Sequence, residues 1–382
     1  MVTAGRSEPS ATPQTPAGWE AAEQTPPATF EVAETSADAQ GLDPAPLIVR
    51  ETLERYLDGE GLGAGPLEIA RIGEGHSNVT FLVRRGERSF VVRRPPRPPF
   101  PRSTHDVMRE ARVLSALERT DVPTPRVLAS CPDEALLGVP FYVMDYVEGF
   151  VLGDGVPAAI DGPQQRRRVA FELVDALVEV HAVEWATIGL EDFGRPSGYL
   201  ERQVRRFGEL WEHSRTRELP AMDAVTRWLH DHLPESPPAT LVHGDYRLGN
   251  VIYAPAAPAR VSAVLDWEMA TIGDPLADVG YLAATYSQPG DTPSPMGQLC
   301  TVTATGGFPS RDELFALYEE RSGRPVGDQR WYQVLALWKS AVFLEGSYRR
   351  LLSGTTDDPF FRTLDRGVPQ LIDAAHEMTG AR

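Results

Sequence analysis

Lysine is almost missing from this chain. Among 382 residues Lys339 is the single lysine, so arginine carries nearly all the positive charge. Cysteine is scarce as well. Cys131 and Cys300 are the two present, far apart in sequence. So few thiols, so placed, argue against a disulfide framework or a cysteine-based metal site and leave two reduced thiols as the expectation. No apolar run approaches the roughly 20 residues that cross a bilayer. Met1 is followed by polar, Pro-rich sequence without the apolar segment of a signal peptide. A soluble, cytoplasmic protein is expected. Net positive charge is also lacking: the value is −17, which argues against nucleic acid or an anionic membrane as a partner.

What is present supports a real core, since 42% of the residues are hydrophobic. Residues 1–46 hold seven acids and one Arg, with much Pro, Ala and Thr and few large apolar groups. That composition predicts a disordered acidic tail. Leu47, Val49, Leu53 and Leu57 then have helical spacing. Strands are predicted over Leu67–Ile72, Val79–Val83 and Ser89–Arg93, with Arg85-Gly86-Glu87 turning the second into the third. The Pro-rich stretch from Arg94 to Pro101 reads as a rigid connector. A helix follows over Asp106–Glu118, striped by Val107, Ala111, Leu114 and Leu117. Strands around Arg126–Ala129 and Val139–Val147 complete a small, mostly antiparallel sheet. From Gly162 the texture is helical. Val169, Leu173, Leu177 and Val180 share one face, and further helices are expected over Tyr199–Trp211, Met222–Leu233, Leu276–Tyr286, Asp312–Glu320, Trp331–Tyr348 and Phe361–Met378. The domain reading is a tail over 1–46, a nucleotide-binding lobe over 47–147 and a helical lobe over 148–382.

One stretch carries the chemistry. Leu241-Val242 leads into His243-Gly244-Asp245, and Asn250 follows five residues after the aspartate. A second apolar run, Val261 to Leu265, delivers Asp266. A hydroxyl that attacks a γ-phosphate must lose a proton, and Asp245 is the candidate base. Mg²⁺ takes one or two hard oxygens from a protein and the rest from water and phosphate; Asn250 and Asp266 fit that role. Two glycines, Gly73 and Gly75, separate the first two strands and suit either a hairpin or a loop folded over phosphates. A protein kinase places a phosphate-gripping lysine in its third strand; this chain has Arg93 on its third strand, which alternation puts on the face of Val91. Arg94, on the opposite face, is the alternative. Glu110 sits on the apolar stripe of its helix and needs a partner, for which Arg93 is the candidate.

With His243-Gly244-Asp245, Asn250 and Asp266 in that order, the chain resembles the aminoglycoside phosphotransferase/choline kinase-like family over about residues 47–380. The resemblance implies an α+β, bilobal, protein-kinase-like fold: a small antiparallel-sheet lobe with one long helix, and a larger, mainly helical lobe. It implies ATP or GTP and Mg²⁺ as cofactors, Asp245 as base, and Asn250 and Asp266 as metal ligands. It also implies that Asp278 braces the catalytic loop. Where a kinase glycine loop has its third glycine this chain has Asn78, and the resemblance suggests that Ser77 and Asn78 contact phosphate. It makes Met144-Asp145-Tyr146-Val147 the adenine-binding connection between lobes, which spacing alone leaves open as an edge strand.

Within the family the chain most resembles the branch associated with acyl-CoA dehydrogenases, on Val92-Arg93-Arg94-Pro95-Pro96, Met144 to Gly149 and Leu265 to Pro275. That implies a small-molecule hydroxyl substrate such as a hydroxyacyl-CoA and a functional link to an acyl-CoA dehydrogenase. The alternatives are an antibiotic phosphotransferase for aminoglycosides or macrolides, and a pseudokinase that binds nucleotide without turnover. Arg202, Arg205 and Arg206 are candidates for the basic mouth a CoA substrate needs. Lys339 carries no sequence signal that places it near the site.

Overall fold

The computed structural model describes residues 31–73, 78–98, 105–292, 294–355 and 359–380. Strand β1 (Val32–Ala33) lies parallel to β2 (Ile48–Val49). Between them Thr35 and Asp38 close a capping box over one helical turn. Helix α1 (Arg50–Gly59) buries Leu53 and Leu57 on the face their spacing predicts. The structure corrects the tail expected over 1–46 from Glu31 onward. The Glu31 carbonyl accepts from the Leu47 and Ile48 amides at 2.8 and 3.0 Å, and its carboxylate pairs with Arg71. Backbone pairing and one ion pair hold this segment, and composition reports neither.

The first lobe is a five-stranded sheet. Its strands are β3 (Glu68–Ile72), β4 (Val79–Arg85), β5 (Arg88–Arg94), β6 (Val127–Cys131) and β7 (Phe141–Asp145), in the order β3-β4-β5-β7-β6. Every pairing is antiparallel. Phe81 is opposite Val92, and Val92 opposite Val143. All three join Leu53 and Leu57 in one small core. Alternation sends Val91, Tyr142 and Met144 to the other face and into the larger core. Helix α2 (Val107–Leu117), inserted after β5, packs there. Asp106 caps it by accepting from the Arg109 amide at 3.0 Å.

After β7 the chain crosses into the second lobe through β8 (Phe150–Val151), which pairs with a later strand. A Cβ on Gly149 would lie 2.2 Å from the Tyr253 carbonyl oxygen, so that approach requires glycine. Helices α3 (Pro163–Ala182), α4 (Tyr199–Ser214) and α5 (Pro220–Asp231) follow. Next come β9 (Thr240–Val242), β10 (Val251–Tyr253), β11 (Val261–Val264) and β12 (Thr271–Gly273). β9 pairs with β12, while β10 lies between β8 and β11. Helices α6 (Leu276–Thr285), α7 (Arg311–Ser322), α8 (Gln329–Leu352) and α9 (Pro359–Met378) complete the lobe. Val169, Leu173, Leu177 and Val180 of α3 are buried together with Trp331 and Trp338 of α8. That core surrounds the two short sheets and fixes the loops between them. No helix among the described residues is long and apolar enough to cross a membrane.

Candidate active site

The loop after β9 is held from below by one buried carboxylate. Asp278, on the first turn of α6, accepts from the His243 amide and the Gly244 amide, both at 2.7 Å. The His181 Nε2–H of α3 completes its set at 3.2 Å. Tyr318 Oη donates to His181 Nδ1 at 2.7 Å, so His181 is a neutral ring wedged between a phenol and a carboxylate. Burial pushes the Asp278 carboxyl up, but His181 and the Gly244 amide outweigh it and hold it below the usual carboxylate range. His243 uses both ring nitrogens locally. Its Nδ1 accepts from the Asp245 amide at 3.2 Å, and its Nε2–H donates to the Leu265 carbonyl at 2.9 Å.

Asp245 is thereby presented at the tip of the loop. The Asn250 Nδ2 group donates to the Asp245 carboxylate at 2.7 Å and to its carbonyl at 2.8 Å. The Asn250 carbonyl accepts from the Leu265 amide at 2.8 Å. The loop and the strand that carries Asp266 are therefore laced together. Asp266 itself adopts a left-handed backbone, φ 66°. This is an uncommon and costly state for a non-glycine residue.

Across the cleft, Arg93 of β5 reaches the same aspartate. Its Nη2 lies 2.5 Å from Asp266 Oδ1, and its Nε donates to Glu110 at 2.8 Å. The other Glu110 oxygen accepts from the Trp267 amide at 3.2 Å. Glu110 is 1% exposed. A carboxylate so buried requires these partners; burial pushes it up and Arg93 opposes that. Asn78 adds a third polar link, donating to Glu268 at 2.7 Å.

Burial also raises Asp245; Arg247, 3.6 Å away, opposes that shift and Asp266 adds to it. Among the described residues no group of three or more His, Cys, Asp or Glu is arranged to hold a metal alone. The donor set suits a hard ion that brings its own phosphate and water ligands. Asn250 spends its amide nitrogen on Asp245, which leaves its Oδ1 for a cation, and Asp266 supplies a carboxylate.

A family model, the phosphotransferase enzyme family, matches residues 68–314. The chain belongs to this family. It is 35% identical over 311 residues to acyl-CoA dehydrogenase family member 10 of Mus musculus, a match covering 80% of this chain and 29% of that protein. The chain thus spans about three tenths of the length of that relative. A solved aminoglycoside-phosphotransferase-like protein of Ralstonia eutropha superposes with a TM-score of 0.74 at 32% identity, covering 86% of this chain and 98% of that one. An aminoglycoside phosphotransferase solved with ADP and hygromycin B aligns at a TM-score of 0.56 and 16% identity, over 87% of this chain and all of its own, and shows the shared fold. The fold of this phosphotransferase-family chain is the bilobal, protein-kinase-like one.

The structure brings Asp245, Asn250, Asp266, Arg93 and Glu110 into one bonded network. Arg94 goes to the other side of the sheet, where it is 2% exposed and donates to the Leu47, Leu137 and Pro95 carbonyls. Asn78, expected on phosphate, donates its side-chain amide to Glu268. Gly73 is described, with φ 76°; Gly75 and Ser77 lie outside the described residues. Met144 faces the larger core, and the Asp145 amide, one of those expected at adenine, donates to the Arg126 carbonyl at 2.9 Å. Tyr146 and Val147 continue from the end of β7 toward the second lobe and are partly exposed. Arg202 is spent on the Ser197 and Arg195 carbonyls and does not form a basic mouth. Sequence reading missed Glu268, although it lies two residues after Asp266. It also missed Tyr281, whose hydroxyl lies against Asp245.

Proposed function

We propose that this protein transfers the γ-phosphate of ATP to the hydroxyl of a small molecule. The acceptor oxygen bonds to the γ-phosphorus, the bond from that phosphorus to the bridging oxygen breaks, and the hydroxyl proton passes to Asp245. Asn250 and Asp266 are the residues for Mg²⁺, which when bound neutralises charge on the phosphates. Arg93 grips phosphate, with Glu110 fixing its guanidinium. Asp278, through the His243 and Gly244 amides, holds the loop in place. The observation that carries this reading is the continuous bonding from Asp245 through Asn250 and Leu265 to Asp266, Arg93 and Glu110. It also disfavours a pseudokinase, because the arginine that replaces lysine keeps the ion pair with the helix glutamate.

For the acceptor, the reading is a hydroxyacyl-CoA, with a functional link to an acyl-CoA dehydrogenase. Its support is the 35% identity to a protein named for that dehydrogenase activity. The test is nucleotide consumption with Mg²⁺ and a panel of hydroxyacyl-CoAs, aminoglycosides, macrolides and choline. Turnover of a hydroxyacyl-CoA, falling by orders of magnitude in Asp245→Ala with ATP binding kept, is expected. Turnover of an antibiotic alone would reject the acceptor, and near-normal turnover in Asp245→Ala would reject the base.

A further inference from the structure

Lys339 sits midway along α8, and its ammonium lies 4.7 Å from the centre of the Phe207 ring of α4. Among the described residues it has no carboxylate at ion-pair distance and no hydrogen-bond acceptor. The charges acting on it are those of Asp278, Arg206 and Asp245. Both acids are already committed, Asp278 to three donors and Asp245 to Asn250. Burial pushes the Lys339 amine down to about 8, with Arg206 in the same direction, so at neutral pH it remains mostly charged. A cation over an aromatic face is partly satisfied, but an ammonium has three N–H donors and the ring takes none of them in a strong bond. Its helix α8 packs against α6, whose Asp278 holds the Asp245 loop from the helical lobe, whereas Arg93 comes from the sheet and pairs with Asp266.

Beside Lys339 the helix pair α4 and α8 presents apolar surface. Phe343, one turn on, packs edge-on against Phe207 with ring centres 5.0 Å apart and is 45% exposed. Leu210 of α4 is 38% exposed. Large apolar groups left open next to an unspent cation suit an acceptor with a carbon chain and an electronegative end.

We propose that Lys339 is a specificity-determining residue of the acceptor site: it donates hydrogen bonds to the acyl oxygen of a hydroxylated acyl acceptor, a carboxylate or a thioester carbonyl, while the acceptor hydroxyl lies at Asp245. This rests on the phosphoryl transfer proposed above. It disfavours polycationic acceptors, which a fixed positive charge repels.

The experiment uses the full chain with ATP and Mg²⁺ and four acceptors: a 4-hydroxyacyl-CoA, the free 4-hydroxy acid, the uncharged diol of equal length and an aminoglycoside. Lys339→Met should raise KM for whichever acyl acceptor is used by about 10- to 100-fold, the range for a hydrogen bond to a charged group. KM for the diol should move less than about 3-fold, and Lys339→Arg should recover most of the loss. The two acyl arms tell a carboxylate from a thioester. Because Lys339 is the sole lysine, acetylation by an amine reagent, mapped by mass spectrometry on the unmutated protein, gives a second readout independent of folding. The acyl acceptor should slow it, and the diol should not. Equal KM changes for acyl and diol acceptors, or no protection, would overturn the role of Lys339 and leave phosphoryl transfer standing. No phosphorylation of any acceptor by the unmutated protein would overturn both.

Discussion

Replacing Asp278 tests whether one carboxylate holds the catalytic loop. It is fully buried and accepts from two backbone amides at 2.7 Å and from His181 at 3.2 Å. Asp278→Ala strands all three donors. Each buried donor without a partner costs about 1–3 kcal/mol. Part of that loss is offset, because the variant no longer buries a charge. The net expectation is about 3–5 kcal/mol, the range for removing one partner of a buried charged cluster. Asp278→Asn keeps one acceptor oxygen but turns an amide donor toward other donors, so its loss should be smaller, about 1.5–3 kcal/mol.

Urea unfolding followed by the fluorescence of buried Trp331 and Trp338 reports this in the lobe concerned. The variant should also lose turnover while still binding nucleotide, since Arg93 and Glu110 are untouched. The pH dependence has a definite sign. The folded Asp278 carboxyl lies below its unfolded value, so its contribution is complete above about pH 5 and is lost as pH falls through about 4 and below. Between pH 5 and 2 the unmutated protein should lose stability faster than Asp278→Ala. A loss under about 1 kcal/mol together with unchanged turnover would refute the bracing role.

Three other substitutions probe the cleft. Asp266→Ala should remove the Mg²⁺-dependent part of nucleotide affinity, and a metal dependence as large in the variant as in the unmutated protein would show that Asp266 is not a ligand. Arg93→Lys cannot serve Glu110 and Asp266 with the same two-pronged reach, so ATP turnover should fall about 10- to 100-fold, one charge-assisted bond. Stability to thermal unfolding should fall as well, by about 1.5–3 kcal/mol for the one bond lost at Glu110 or Asp266, and equal activity would mean that a point charge suffices. Gly244→Ala puts a Cβ 2.7 Å from the Met269 carbonyl oxygen at a residue with φ 87°. A loss of about 1–3 kcal/mol with lower turnover is expected, measured by urea unfolding and rate, and an unchanged variant would show that the turn relaxes freely.

How far the sequence could be read depended on the range of the interaction. Asp245, Asn250 and Asp266 were legible because short apolar strands fix where their loops end. Arg93 was separated from Arg94 by the two-residue alternation of a strand, and Glu110 was marked by its place on an apolar helix stripe. The segment from Glu31 to Pro46 was not legible, since its two-residue strand has no period to detect and its anchor, Arg71, is distant in sequence. The pairing of β8 with β10 depends on the close approach at Gly149, which only the packed chain creates. Lys339 lies within an otherwise ordinary helix, and only the packing of α8 against α4 and α6 sets it over Phe207, beside the helix that braces the catalytic loop.

The polar links across the cleft converge on one turn. Asp266 takes Arg93, the Trp267 amide meets Glu110, and Glu268 receives Asn78. The same turn is laced from behind to the loop of Asp245 through the Asn250–Leu265 and His243–Leu265 bonds. A ligand that shifts the turn from the sheet side therefore changes the free energy of the loop on the helical side. Linkage makes that exchange symmetric: whatever factor nucleotide adds to acceptor affinity, acceptor must return to nucleotide.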